Sequence, residues 1–112
     1  MCIENHNLKN YSFLKGMYSD EYFPNHLVDK GKEILVRLCE SIELNKPENL
    51  ESLYNLTRLA TEEFNVLSEE FDKNGSEIET IAREIIGDDF YNIAKNYGYD
   101  ADAEELIAAR DW

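Results

Sequence analysis

The stretch EEFDKNGSEIETIAREI, residues 69 to 85, has the residue types of a calcium loop: acids, an Asp-Lys-Asn-Gly step, an isoleucine and further acids. An EF-hand loop needs oxygen ligands at positions 1, 3, 5 and 12, a glycine at 6 and an apolar residue at 8. With Gly75 at position 6, Glu70, Asp72 and Asn74 take the first three ligand positions, but Glu77 falls at position 8 and Ile81 at position 12. Isoleucine cannot supply the closing bidentate carboxylate, so no metal is expected. The same residues read well as a turn between two helices. Gly75 has no Cβ to resist the left-handed conformation that ends a helix. Ser76 is expected to cap the next helix, with Glu79 reaching back to its amide as a capping box.

Asp89 is the other acid of chemical interest. If a helix runs straight through Gly87, Asp89 lies on the apolar arc, where a carboxylate is costly unless paired and its pKa rises toward the range useful for acid–base work. If Gly87 breaks the helix, Asp88 or Asp89 caps a restart at DDFYNIAKNYG, and this second reading is favoured because no histidine or second acid suited to catalysis lies nearby. Di-iron bundles need Glu-x-x-His pairs on facing helices, and neither His6 nor His26 has a glutamate three residues before it. No glycine-rich phosphate loop, Gly-x-Ser-x-Gly elbow or Cys-x-x-Cys is present. Cys39, spaced helically with Leu35 and Ile42, reads as a buried inert thiol rather than a nucleophile for His26, and Cys2 stands apart at a flexible start. No catalytic residue and no cofactor is expected.

The elements that would position such residues are helices. Leu27, Gly31, Ile34, Leu35, Leu38, Cys39 and Ile42 share one arc of a helix over residues 25 to 45, with Asn25 as its cap. Gly31 on the buried arc predicts a close approach by another backbone. Pro47 is expected at or near the first helical position of the next segment. There Leu50, Leu53, Thr57, Ala60, Phe64, Leu67 and Phe71 make one core face, with Glu62 and Glu69 opposite. Leu56, Leu59 and Val66 fit neither face and form a thinner apolar strip, a contact for a neighbour or a partner. Ile78, Ala82, Ile85, Ile86, Ile93 and Tyr97 mark a third helix, Gly98 its end, and Asp100 or Asp102 the cap of a short last helix presenting Leu106, Ile107 and Trp112. The aromatic-rich residues 1 to 24 lack clear periodicity and are expected to cover an open end of the core, with a tyrosine-rich binding surface as the alternative.

The 112 residues suit one domain, 1–112, and the formal charge of −13 is unevenly placed. Residues 1 to 47 carry seven acids and six bases, whereas residues 48 to 112 carry seventeen acids and five bases. Such a surface disfavours nucleic acid, which is bound by neutralising phosphates, and suits a basic protein. No apolar run is long enough for a membrane span, and the first residues lack the pattern of a signal peptide, so a cytoplasmic location is expected.

The strings KGMYSDEYFPNHLVDKGKEILVRLCE, NGSEIETIARE and EELIAARDW resemble a family of small bacterial proteins classed as a domain of unknown function, from Leu14 to Trp112. The resemblance implies a bacterial, compact, helical protein and assigns neither an activity nor site residues. The sequence therefore predicts an all-α antiparallel bundle of three long helices, each about 30 Å or more, with an aromatic N-terminal segment across them. Its leading functional reading is a non-catalytic acidic protein, inhibitor- or immunity-like, that binds a basic partner through Leu56, Leu59, Glu62, Val66 and Glu69. A small enzyme or ligand-binding bundle centred on Asp89, and a homo-oligomer joined through the Leu56, Leu59 and Val66 strip, are the alternatives.

Overall fold

The computed structural model describes residues 3–112, so Cys2 lies outside the described residues. It is all-α, with no strand among them: α1 (His6–Lys9), α2 (Lys15–Tyr18), α3 (Asn25–Asn45), α4 (Leu50–Lys73), α5 (Thr80–Asn96) and α6 (Ala103–Leu106). The apolar arcs of α3 and α4 face each other, burying Leu27, Ile34, Leu35, Leu38 and Ile42 against Leu53, Ala60, Phe64, Leu67 and Phe71. Lys30 meets Glu70 and Arg37 meets Glu63, so the two helices are antiparallel. Leu14 joins Gly31 of α3 to Asp89 of α5, and the Tyr97 hydroxyl, just after α5, lies 3.4 Å from the Cys39 carbonyl. Hence α5 runs along α3 in the same sense and opposite to α4. At 17 residues it is about 26 Å long, short of the length expected.

The N-terminal segment is a structural wedge. Its short helices α1 and α2 bring Leu8, Phe13, Leu14, Met17 and Phe23 into the single core, each 5% exposed or less, while Tyr22 stays 46% exposed. A Cβ on Gly31 would stand 2.8 Å from Leu14 Cδ1 and 3.2 Å from Phe64 Cε1. The close approach predicted at Gly31 is thus made by side chains, not by another backbone.

Local signals for the helix ends divide into those used and those overridden. Gly75 (φ 76°) and Gly98 (φ 85°) are left-handed. After each the chain makes the paired bonds of a Schellman turn: Ser76 N to Phe71 O at 2.9 Å with Gly75 N to Asp72 O at 3.2 Å, then Tyr99 N to Ala94 O at 2.9 Å with Gly98 N to Lys95 O at 3.0 Å. Asp102 caps α6 by accepting from the Glu104 amide at 2.9 Å. Ser76, in contrast, does not cap α5. Its amide is committed to closing α4, residues 76–79 are not helical, and α5 starts at Thr80 after Glu79, which gives no side-chain cap. Pro24 rather than Asn25 precedes α3, and Asn49 rather than Pro47 starts α4, its Oδ1 accepting from the Ser52 amide at 2.8 Å.

Candidate functional site

Asp89 sits within α5, which continues unbroken through Gly87, so neither Asp88 nor Asp89 caps a restarted helix. Gly87 is compatible with an unbroken helix and a nearby chain, because Ile107 Cδ1 would lie 3.4 Å from a Cβ there. The Asp89 side chain is 4% exposed. Its Oδ1 accepts from the Tyr11 hydroxyl and its Oδ2 from the Leu14 amide, both at 2.7 Å. Burial pushes this carboxyl above the usual value; the bonds from Tyr11 and Leu14 pull it back without cancelling that effect, and Asp88 adds to the rise. Burial and the bond to Asp89 together push Tyr11 up to about 12, which keeps its hydroxyl a donor.

This arrangement is suited to positioning the chain. Leu14 is left-handed (φ 56°), a conformation that costs a branched residue about 1–2 kcal/mol. Here its amide reaches a buried carboxylate and its side chain enters the slot over Gly31. Both Asp89 oxygens are engaged by donors of the protein itself, which favours a positional role over acid–base chemistry. A second carboxylate grips the chain further toward its start. Glu43 accepts from the amides of Glu4 (2.9 Å) and Asn5 (2.9 Å) and from the Tyr97 hydroxyl. Burial alone would raise Glu43; these donors outweigh it and hold the carboxyl below its usual value. Cys39, wholly buried, has its thiol pushed up to about 12, first by burial and then by Glu43.

The residues proposed for partner contact lie on α4. Leu59 is 60% and Val66 61% exposed, two helical turns apart, with Glu62 and Glu69 exposed beside them. Leu56 is half-buried and packs on the core, so it stands apart from the other two. Among the described residues, neither Glu62 nor Glu69 enters an ion pair, whereas Glu63 and Glu70 on the α3 side of the same helix both do. The outward face of α4 therefore combines free negative charge with two large apolar side chains.

The model of a family of unknown function, DUF5713, matches residues 7–112. The chain belongs to that family. No curated protein and no solved structure matches it. The DUF5713 match begins ahead of Leu14, where the resemblance had been placed, and so spans Tyr11, Asp89 and the outward face of α4 alike. No helix of the described residues in this DUF5713 chain is long and apolar enough to cross a membrane.

Two features of the site went unseen in the sequence. Tyr11 and Asp89 are 78 residues apart and Glu43 and Glu4 are 39 apart, and no periodicity links them. The ladder between α3 and α4 left a readable trace: Lys30 and Arg37 are seven residues apart, as are Glu63 and Glu70, the spacing that keeps charges on one seam.

Proposed function

We propose that this chain is a non-catalytic, cytoplasmic bacterial binding protein that engages a basic protein through the outward face of α4. The observation that carries the reading is the pairing of Leu59 and Val66, each about 60% exposed, with the unpaired Glu62 and Glu69. Apolar anchors ringed by charge are how an interface gains both affinity and orientation. The formal charge of −13 supports a basic partner and argues against a phosphate backbone. The engagement of both Asp89 oxygens withdraws support from the alternative of an enzyme centred there.

The test is affinity capture from the native cytoplasm at low and then moderate salt. A basic protein retained at low salt is expected, with its association slowed when Glu62 and Glu69 are both replaced by glutamine and its dissociation hastened by Leu59→Ser. Capture of the chain alone, with a symmetric dimer in sedimentation that Val66→Ser dissolves, would transfer the same face to self-association.

A further inference from the structure

A groove of about 320 Å³ lies between α3 and α4, floored by the buried Ile34 and Leu67 and bordered by Val66. Two ion pairs cross it: Lys30 Nζ to Glu70 Oε1 at 2.5 Å and Arg37 Nη2 to Glu63 Oε1 at 2.6 Å. Because the helices are antiparallel, the positions midway between these crossings are Glu33 on α3 and Val66 on α4. The groove thus has three carboxylates and only two cations at its rim. Glu33 is the one left over. It is exposed and, among the described residues, its carboxylate enters no ion pair or hydrogen bond, since the cations one turn to either side of it on α3 reach across to α4 instead.

We propose that this groove receives one cationic side chain of the basic partner, an arginine or lysine whose methylenes lie on Val66 and Ile34 and whose charge meets Glu33. The shape and the chemistry agree. Long basic side chains carry an apolar stem and a charged head, and they gain most where an apolar floor lies beside a carboxylate. The two existing ion pairs bracket the guest along the helix axis and set one register for it, and the guest completes a third rung of the same ladder. Val66, the apolar anchor of the outward face, then serves both surfaces. The inference rests on the basic-partner reading, but it concerns a site that can be probed without that partner.

The probe is butylguanidinium chloride, a free arginine-like side chain, titrated into the 112-residue chain labelled at the isoleucine, leucine and valine methyls. The methyls of Ile34 and Val66 are expected to shift and saturate in the millimolar range, while guanidinium chloride and butanol, each carrying half of the chemistry, move them less. Glu33→Gln should weaken the apparent affinity about threefold, as loss of one solvent-facing ion pair does. Shifts spread evenly over the surface, or identical titrations of the wild type and Glu33→Gln, would overturn the groove while leaving capture through Glu62 and Glu69 intact. Conversely, a saturating site in a protein that captures no basic partner would refute the functional reading alone.

Discussion

Asp89 and Glu43 are two carboxylates in one molecule whose titrations are displaced in opposite directions, and that gives the acid stability profile a definite shape. Glu43 is held below its usual value of 4.5, so its contribution is present above that value and is lost as pH falls through its folded pKa. Asp89 is held above its usual value of 3.8, so protonation favours the folded state: its contribution is present at low pH and is lost as pH rises through its folded pKa. Melting temperatures measured across the acid range should therefore fall less steeply toward low pH in Glu43→Gln than in the wild type. Tyr11→Phe leaves a buried carboxylate oxygen without its donor and should cost about 1–3 kcal/mol at neutral pH, shrinking once Asp89 is protonated. Equal losses at every pH would mean that the hydroxyl is not bonded to a charged Asp89. Ser76→Ala behaves differently. The Ser76 hydroxyl is buried and has no hydrogen-bond partner among the described residues, so its removal should leave the denaturant midpoint unchanged or raise it slightly, where a helix cap would have cost about 1 kcal/mol.

Helices α3 and α4 were legible in the sequence because burial on one face of a regular helix repeats every 3.6 residues, and that signal outweighs the thinner Leu56, Leu59 and Val66 strip over Leu53 to Phe71. Gly75 and Gly98 were legible because their roles are set by the residues next to them, whereas the cap of α6 could be narrowed only to Asp100 or Asp102. Ser76 was not, since it stands both where a capping box would start a helix and directly after the glycine that ends one, and the Phe71 carbonyl takes its amide. The outward face of α4 could be drawn in advance, apart from Leu56, whose flank position leaves it half-buried. The N-terminal segment could be read no further than as a cover or a binding surface, because its contacts join residues some 40 to 90 positions apart. It is more than a cover. Burying Leu8, Phe13, Leu14, Met17 and Phe23 at about 1.5–3 kcal/mol each is comparable to the whole stability of a small domain, so a chain lacking residues 1–23 should lose cooperative unfolding by circular dichroism. Gly31→Ala probes the same wedge: an added Cβ gains about 1 kcal/mol of helix propensity but meets Leu14 and Phe64, and packing costs of about 1–3 kcal/mol should leave the variant destabilised.

For the molecule as a whole, 40 Å by 27 Å by 20 Å, the excess of acids lies almost wholly in the part after Pro47. A field of that kind acts on encounter more than on the bound state and is screened over about 8 Å at physiological salt. Association with a basic partner should slow as salt rises, with the dissociation rate nearly constant. Replacing Glu62 and Glu69 with glutamine should flatten that dependence without moving the melting temperature, and surface-based kinetics at two salt concentrations would read both effects.

The bond from the Leu14 amide to Asp89 spans 75 residues, and this distance also sets an order of events at the ribosome. At about 5–20 residues per second, the carboxylate that anchors Leu14 is synthesised roughly 4–15 seconds after it. Over that interval the Leu14 amide has no carboxylate to reach, although its side chain can enter the slot over Gly31 once Phe64 and Leu67 of α4 have been made. Of the three long helices, the one made last anchors a segment made before all of them. Until Asp89 has been made, the N-terminal segment lacks the bond that anchors it, and its apolar residues have only α3 and α4 to rest on.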